Sequence, residues 1–399
     1  MRVAQINSVY GRGSTGNIVR NLHTHYLENG IDSHVFFGRG TQSSGKNLIK
    51  FSNQADVLYH GLQTRFFDRH GLVSKTVTRN LIKSLNKLNP DIIHLHNIHG
   101  YYLNYPTLFN YLKKDFKGQV IWTMHDCWAF TGHCAYYTYA QCNKWETHCH
   151  NCPQKKEYPK SLYKDNSFEN YELKKDNFSG LKHLQLITPS KWLKNQLSKS
   201  FLSDYNVKVL NNGVDKSIFK PFKSKFKESN ELVGKKIILG AANIWEKRKG
   251  LKYLIALLEH LNYEEHIIVV GKSKFLDTFT HPKLTHIGQT SNAYELADLY
   301  NAADVYFNPT LEDNFPTTNL ESIACGTPVV TFNNGGSSET IDNIISKSIN
   351  NTSATENLEK LREVYSEKED HQKITMASQI KSMSDFNKSY FDFYHEIVV

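Results

Sequence analysis

The stretch PTLEDNFPTTNLESIACGTPVV, from Pro309 to Val330, decides the fold. The residues before it and the TPVV at its end are apolar enough for buried strands, and ESIACG between them predicts a short helix that Gly326 ends. A strand, a helix and a second strand in this order are typical of a parallel α/β sheet. The polar segment EDNFPTTN lies where the first strand passes into the helix, which is the edge where such sheets bind ligands.

Outward from this stretch, short runs rich in Val and Ile recur along the whole chain. Each run is nearly continuous rather than alternating, which fits strands buried on both faces of a parallel sheet. The predicted strands are residues 3–7, 34–37, 91–97, 119–125, 184–190 and 207–213 in the first half, and residues 235–241, 266–271, 284–288, 304–309 and 327–332 in the second. This order predicts two Rossmann-like halves.

The length of the chain agrees with two domains, because 399 residues exceed what one hydrophobic core usually serves. We predict an N-terminal domain over residues 1–218, with a cysteine-rich insertion at residues 127–160, and a C-terminal domain over residues 219–378. No window reaches about 18 consecutive apolar residues, and the N-terminal MRVAQINSVYGRG turns polar early. We therefore expect a cytoplasmic protein, peripheral at most at the inner face of the plasma membrane.

The net charge of +9 is spread over 48 basic and 39 acidic side chains. Its densest part, residues 182–227, holds ten lysines and two aspartates. This part is either a solvated face or a surface that faces anionic lipid or a phosphorylated substrate. No aromatic-interleaved basic repeat accompanies it, so we expect no nucleic-acid partner.

Two turns between a strand and a helix are suited to phosphate groups. After the first strand, VYGRGSTGN places Gly11, Gly13 and Gly16 before a helix, which fits either an anion site or a plain tight turn. In the second half, KRKG ends a strand with three successive cations, Lys247 to Lys249. These charges repel one another unless an anion is near, which favours a diphosphate site over a solvated cluster.

Carboxylates flank the helix start in the long motif. Asp313 and Glu321 stand eight residues apart, and either can accept hydrogen bonds from sugar hydroxyls. The backbone amides of Thr317 and Thr318 between them are expected to face phosphate oxygens. An N-capped helix with solvated acids is the structural alternative.

These motifs together resemble the family 4 retaining glycosyltransferases of the GT-B fold. The resemblance extends over most of the chain and rests on STGN, MHD, TPS, NNGVDKSIF, KRKG, the long motif and NNGGSSE. It implies two Rossmann-like domains whose parallel sheets face a deep cleft, with the nucleotide-sugar donor on the C-terminal domain and the acceptor on the N-terminal one. A C-terminal helix, residues 379–399, is then expected to return to the N-terminal domain.

The resemblance also implies a role for each matched residue. Glu321 would hold the ribose hydroxyls and Asp313 would face the sugar, since they match the two acids of the family's Glu-x7-Glu signature. His125 matches the histidine that touches the transferred sugar, and Gly16 matches the glycine whose amide approaches the diphosphate. The implied catalytic residues are His125, Lys249 and Asp313, and the implied donor-binding residues are Gly16, Asn212, Arg248, Lys249, Phe315, Thr317, Thr318 and Glu321.

The chain departs from the family pattern at two places. Asp313 is one methylene shorter than the usual glutamate. Asn243 and Ile244 stand where the family has the arginine of its phosphate clamp, so Arg248 or Lys247 is expected to supply that charge.

The implied reaction needs no catalytic metal, because the chain has no Asp-x-Asp motif for a cation bridging the diphosphate. By resemblance, a hexose passes from a UDP- or GDP-sugar to a glycan or polyprenyl-linked acceptor with retention of configuration. The route proposed for this family lets the departing phosphate oxygen take the acceptor proton. The resemblance places this reaction in bacterial surface polysaccharide synthesis.

Four cysteines, Cys134, Cys142, Cys149 and Cys152, fall within nineteen residues of the predicted insertion. Four thiolates suit tetrahedral Zn²⁺, so we predict a structural zinc site in which a nearby histidine could replace one ligand. Packed free thiols and redox-labile bridges are the alternatives. A catalytic zinc is not expected, because four thiolates leave no open position for water.

Two other functions compete with sugar transfer. A nucleotide-sugar epimerase of the same fold would share both halves, but it would not need the Asp313 to Glu321 signature together with KRKG. A zinc-dependent nucleic-acid-binding protein would explain the charge and the cysteines, but not the second half of the chain.

Overall fold

The computed structural model describes residues 1–41, 45–341, 345–367 and 370–398. The chain divides into two compact units, Met1–Leu210 together with Asn387–Val399, and Asn211–Phe386. The division falls a few residues before the domain boundary predicted after residue 218. Each unit has its own parallel sheet and its own core.

The first unit contains seven strands of one parallel sheet. They are β1 (Arg2–Asn7), β2 (Asp32–Phe37), β3 (Leu48–Lys50), β4 (Ile92–Leu95), β5 (Gln119–Thr123), β6 (Leu184–Thr188) and β7 (Val207–Val209). Their order in the sheet is β3-β2-β1-β4-β5-β6-β7. The helices between them are α1 (Gly13–Glu28), α2 (Gln54–Phe67), α3 (Lys75–Leu88), α4 (Tyr105–Lys114), α5 (Ser167–Phe178) and α6 (Lys191–Leu197).

The second unit repeats this plan with six strands. They are β8 (Lys236–Ile244), β9 (Glu265–Lys272), β10 (Leu284–Ile287), β11 (Val305–Asn308), β12 (Val329–Phe332) and β13 (Lys347–Ile349), in the order β10-β9-β8-β11-β12-β13. The remaining helices are α7 (Phe226–Ser229), α8 (Leu251–Leu257), α9 (Ala293–Ala302), α10 (Thr317–Ala324), α11 (Ala354–Ser366), α12 (Asp370–Gln379) and α13 (Met383–Val398).

The two parallel sheets confirm the prediction of two Rossmann-like halves. Strands β4, β11 and β12 are buried at every position, as their continuous apolar runs indicate. The sequence did not reveal β3 and β13, because each has three residues and mixes apolar with polar side chains. Both lie at a sheet edge, where a strand has one neighbour and needs less apolar surface.

The last part of the chain packs on the sheet of the first unit. Tyr390 and Tyr394 of α13 are fully buried. The Tyr390 hydroxyl hydrogen-bonds to Thr123 Oγ1 at 3.1 Å, and the Tyr394 hydroxyl hydrogen-bonds to His94 Nδ1. The end of α13 therefore belongs to the core behind β4 and β5.

The cysteine-rich segment that follows β5 has little regular structure, apart from single 3-10 turns at Trp128–Phe130 and Lys144–Glu146. It is ordered instead by aromatic packing, in which the buried Trp145 ring lies 5.0 Å from Phe130 and 4.7 Å from Tyr137. Lys174 of α5 reaches into the segment and donates to the carbonyls of Trp128 and Thr131 at 2.7 and 2.9 Å.

A further property of the helices concerns membranes. Among the described residues, none of the helices is both long enough and apolar enough to cross a bilayer.

Candidate active site

The helix start of α10 offers backbone amides to a ligand. This helix begins at Thr317, and among the described residues no side chain caps it at Pro316. The first N–H groups of a helix have no partner within the helix, and the helix dipole adds partial positive charge there. Thr317 and Thr318 therefore lie where phosphate oxygens are bound in other proteins, as the sequence predicts.

A basic turn and an acidic loop meet beside this helix start. Lys249 Nζ lies 2.6 Å from Asp313 Oδ2, and both side chains are mostly buried. The N–H of Leu311 donates to the carbonyl of Arg248 at 2.7 Å. The structure thus brings Lys249 and Asp313 into one ion pair, which an incoming anion could share through the lysine ammonium.

Gly250 explains why the two segments lie so close together. It has a φ of +77°, and a β-carbon at this position would lie 2.0 Å from the carbonyl oxygen of Pro309. Any other residue would push the KRKG turn away from the strand end.

Arg248 is largely committed to contacts within the unit. Its Nε donates to Glu246 Oε2 at 3.0 Å and its Nη1 donates to the carbonyl of Glu312 at 3.1 Å. Lys247 is exposed, and so are Asn243 and Ile244, which replace the family's clamp arginine. Lys249 is therefore the cation of this turn that contacts the carboxylate of Asp313.

Glu321 lies on the side of α10 that faces α9. It accepts a hydrogen bond from the hydroxyl of Tyr300 at 3.4 Å and another from the Thr317 side chain. Burial raises the pKa of Glu321 to about 7 despite these bonds. A ligand whose hydroxyl groups donate hydrogen bonds to this carboxylate would stabilise its charged form.

The loop that carries Asp313 is fixed from behind by the NNGG turn. The N–H of Gly336 donates to the carbonyl of Asp313 at 3.0 Å. Gly335 has a φ of +63°, and a β-carbon there would lie 2.0 Å from that carbonyl oxygen. This support limits how far the loop can move to compensate for the missing methylene of Asp313.

Two of the donor-binding predictions concern buried side chains. Phe315 packs in the hydrophobic core of the second unit, and Asn212 is buried near the start of the same unit. The Phe315 side chain therefore supports the loop from inside, and the main chain is the part of this residue that a ligand can reach.

In the first unit, the predicted residues follow neighbouring strands. Gly16 lies in the first turn of α1, where a β-carbon would be 3.0 Å from Val9 Cγ2 and 3.3 Å from the backbone nitrogen of Gly11. Thr15 beside it hydrogen-bonds to Asn97, which follows β4, at 3.4 Å. A side chain at position 16 would therefore be crowded by the turn itself.

His125 follows β5 and stacks on His96, with ring centroids 5.5 Å apart. His125 Nε2 and His96 Nδ1 are 3.3 Å apart, and His96 Nε2 lies 3.3 Å from Gln5 Oε1. Burial lowers the pKa of His125 to about 4, so the ring is neutral near pH 7. A neutral imidazole can exchange hydrogen bonds with a sugar hydroxyl without adding charge.

The sequence analysis missed a second polar pair beside His125. Asp126 Oδ2 lies 2.9 Å from His99 Nε2, and the other ring nitrogen of His99 lies 2.9 Å from the hydroxyl of Tyr158. Tyr158 belongs to the cysteine-rich segment. The MHD triplet contained the signal for Asp126, but nothing in the sequence linked it to His99 or Tyr158.

The four cysteines of the predicted zinc site lie among different partners in the structure. The thiols of Cys134 and Cys152 hydrogen-bond to each other, and the sulfur of Cys149 accepts the N–H of Gly132 at 3.2 Å. Cys142 is half-buried. In the part of the chain that the structure describes, no three His, Cys, Asp or Glu side chains are arranged to hold a metal ion. The sulfurs bond to neighbours rather than converge on one centre, and zinc binding stays a prediction.

Comparison with known families gives this site its context. Residues 15–217, about half of the chain, match the family described as Glycosyltransferase Family 4. Residues 222–380 match the family described as Glycosyl transferases group 1. The chain therefore belongs to glycosyltransferase family 4, and the resemblance stated from the motifs is confirmed.

Individual relatives agree with this assignment. The putative colanic acid biosynthesis glycosyl transferase WcaC of Escherichia coli is 24% identical over 356 residues, which cover 86% of this chain and 85% of that protein. Sucrose-phosphate synthase from Thermosynechococcus elongatus has a TM-score of 0.72 at 14% identity and covers 99% of this chain and 98% of that chain. HepE of Anabaena in complex with UDP-glucose has a TM-score of 0.66 at 13% identity, covering 99% and 100%. The fold is that of the GT-B glycosyltransferases.

The support of the Asp313 loop by Gly335 can be tested with Gly335→Ala. We expect a loss of stability and of donor binding, because the new methyl group must displace the Asp313 carbonyl in addition to straining a positive φ. Gly180→Ala is the matched control, since Gly180 has a φ of +75° and open space around it. Thermal unfolding and nucleotide titration of both variants measure the difference, and equal losses would show that φ strain alone matters.

The buried carboxyl of Glu321 predicts a pH-dependent stability. Its pKa of about 7 lies above the ordinary 4.5, so the native state favours the protonated form. The contribution of this carboxyl to the free energy of unfolding is fully present below about pH 4.5 and is lost as the pH rises through 7. Glu321→Gln should therefore gain up to about 3 kcal/mol over the parent protein at pH 8 and little at pH 4.5. Urea unfolding without nucleotide measures this, with the exposed Glu259→Gln as control; a gain that does not change with pH would contradict the assignment.

Proposed function

We propose that this glycosyltransferase moves a hexose from a UDP- or GDP-sugar to a glycan or polyprenyl-linked acceptor with retention of anomeric configuration. The observation that carries the proposal is the ion pair of Lys249 and Asp313 beside the uncapped start of α10. One cation, one carboxylate and free helix amides suit the diphosphate and the sugar of one donor molecule.

The donor's parts can be assigned to residues of the second unit. The N–H groups at Thr317 and Thr318 bind diphosphate oxygens, together with the Lys249 ammonium. Glu321 binds the ribose hydroxyls, and Asp313 accepts hydrogen bonds from hydroxyls of the sugar. The complex of HepE with UDP-glucose supports a nucleotide-sugar donor.

The reaction breaks the bond between the sugar's anomeric carbon and the phosphate oxygen and forms a bond to the acceptor oxygen. The departing phosphate oxygen takes the proton of the acceptor hydroxyl, so no protein nucleophile is required. Negative charge develops on the leaving diphosphate, and Lys249 with the α10 amides would stabilise it by roughly 3 kcal/mol or more. Charge compensation by the protein's own groups supports catalysis without a metal.

The roles that we assign to His125 and Gly16, both in the first unit, rest on the family resemblance. Neutral His125 hydrogen-bonds to a hydroxyl of the transferred sugar, and the tight turn at Gly16 lets its amide approach the diphosphate. The similarity to the putative colanic acid biosynthesis glycosyl transferase supports a role in surface polysaccharide synthesis. We propose that this role is carried out at the cytoplasmic face of the membrane.

The proposal predicts that Lys249→Ala and Glu321→Gln each reduce sugar transfer by at least about tenfold, or about 1.4 kcal/mol of transition-state stabilisation. The lysine compensates the leaving group, and the glutamate holds the ribose. Lys252→Ala, an exposed lysine three residues further on, is the control and should keep parental activity.

Transfer of radiolabelled sugar from UDP- and GDP-sugars to membrane lipid extract is the measurement, after donors have been screened by thermal stabilisation. Parental rates in both folded variants would contradict the donor site. Epimerisation of the donor without any acceptor would instead favour the nucleotide-sugar epimerase.

We also propose that the four cysteines bind one structural zinc ion. Support comes from the sulfur contact of Cys134 with Cys152, from the N–H groups of Gly132 and Gln154 that donate to Cys149 and Cys152, and from buried Lys174 nearby. Amide and ammonium donors of this kind offset the negative charge of metal-bound thiolates. Binding requires Cys142 and Cys149 to turn toward the other two sulfurs.

Elemental analysis of protein purified without chelators should find about one zinc per chain in the parent and in Cys325→Ala, and none in Cys149→Ser. Chelation should expose residues 130–160 to protease and weaken acceptor use, with nucleotide affinity nearly unchanged, because the proposed nucleotide ligands lie in the second unit. Absence of metal from the parent would mean that the cysteines are packed thiols.

A further inference from the structure

Helix α2 presents its apolar side to solvent. A helix of a globular protein normally buries its apolar residues and exposes its polar ones. Here His60 and Thr64 are fully buried, whereas the exposed large side chains of the helix include Leu58 at 65% and Tyr59 at 58%. Leu62 and Phe66 continue the same exposed stripe along the helix. Helix α2 therefore buries polar side chains and exposes apolar ones, which is the reverse of the usual arrangement.

The end of the cysteine-rich region enlarges this stripe. Tyr163 is 69% exposed, and its ring stacks on Phe66 with centroids 5.5 Å apart and an angle of 9°. The N–H of Leu162 donates to the carbonyl of Arg65 at 2.7 Å and ties the two segments together. We call the combined surface the α2 patch, which consists of Leu58, Tyr59, Leu62, Phe66, Leu162 and Tyr163.

Basic side chains surround the α2 patch. Residues 155–164, KKEYPKSLYK, contain four lysines and one glutamate. Arg65 and Arg69 at the end of α2 are exposed as well. Lys155 Nζ donates to the carbonyl of Tyr163 at 3.0 Å, so at least one of these cations is held at the edge of the apolar surface.

The basic side chains around the α2 patch indicate which kind of partner can bind there. A symmetric dimer through the patch would bring the same lysines and arginines of two copies together, and like charges oppose such contact. An anionic bilayer accepts both parts of the surface, because Leu, Tyr and Phe enter the headgroup boundary while Lys and Arg meet the lipid phosphates.

The region 182–227, where the sequence places the most lysines, fits a membrane less well. It is divided between the two units at Leu210. Four of its lysines also form ion pairs with acidic side chains, namely Lys199, Lys208, Lys223 and Lys227. Its net charge is thus partly neutralised and not gathered on one unit.

The inner side of α2 leads to the residues near His125. The His60 ring lies 6.1 Å from the ring of Tyr101, which packs 4.9 Å from His70. His70 in turn contacts His99, the partner of Asp126. A series of packed rings, His60, His70 and His99, therefore connects the inner side of α2 to the groups beside Asp126.

We propose that the α2 patch docks the first unit on an anionic bilayer surface, where a polyprenyl-linked acceptor is presented to the site near His125. The proposal rests on the proposed function for the identity of the acceptor, but not for the binding itself. Apolar insertion and lysine contacts to lipid phosphates act together, so binding weakens as salt rises.

Co-sedimentation with vesicles tests the docking. The parent protein should bind vesicles containing phosphatidylglycerol and should bind pure phosphatidylcholine at least about tenfold more weakly. Leu62→Glu combined with Phe66→Glu should lower binding to the anionic vesicles by at least about tenfold, because two carboxylates would enter the headgroup region. Tyr294→Glu is the control, since Tyr294 is 65% exposed on α9. All three proteins should unfold at similar temperatures.

The possible outcomes separate the docking from the function. Unchanged vesicle binding by the folded double variant overturns the α2 patch, and so does a dimer that the double substitution dissociates. If the parent binds vesicles through the patch but transfers no sugar, the proposed function fails and the docking stands. If sugar transfer to lipid extract is retained by a double variant that no longer binds vesicles, docking does not present the acceptor.

Discussion

The carbonyl oxygen of Pro309 lies where a β-carbon of residue 250 would be, and the arrangement of the candidate site in the second unit depends on this contact. It holds the turn after β8 against the end of β11, which are neighbouring strands. Lys249 can then reach Asp313, whose own loop is fixed by Gly336. Three chain segments that are far apart in sequence are thus joined by backbone contacts that only glycine permits, and the charged side chains follow from them.

Glu321 of the second unit is a carboxylate whose charged form is disfavoured by its surroundings. Burial raises the pKa of Glu321 to about 7, and the hydrogen bonds from Tyr300 and Thr317 compensate for this only in part. The paired Lys249 and Asp313 present little net charge until a ligand contacts them. If the proposed function holds, a donor with phosphates and hydroxyls would add hydrogen-bond partners to all of these groups and offset this cost. Native proteins commonly accept such local destabilisation at functional sites.

Much of the fold could be predicted because buried parallel strands are continuous apolar runs, and eleven such runs became β-strands in the structure. The long motif also located Asp313, Thr317 and Glu321 on one loop and one helix. The sequence could not reveal the Asp126, His99 and Tyr158 contacts, since they join a strand end, a loop and the cysteine-rich segment. Nor could it separate the four cysteines into a thiol pair and a sulfur bonded to a backbone amide, because spacing does not fix side-chain direction.

The cysteine-rich segment connects features that the sequence treats as separate. Cys152 is followed six residues later by Tyr158, whose hydroxyl bonds to His99, and then by Tyr163, whose ring covers Phe66 of α2. The N–H of Cys152 itself donates to Asp165 at 2.6 Å, which closes this stretch into a loop. The Cys152 backbone and both tyrosines are therefore held in one loop. The same loop therefore contacts both the His99 ring and the exposed α2 patch, and its irregular backbone is anchored by the buried Trp145 and the buried Lys174.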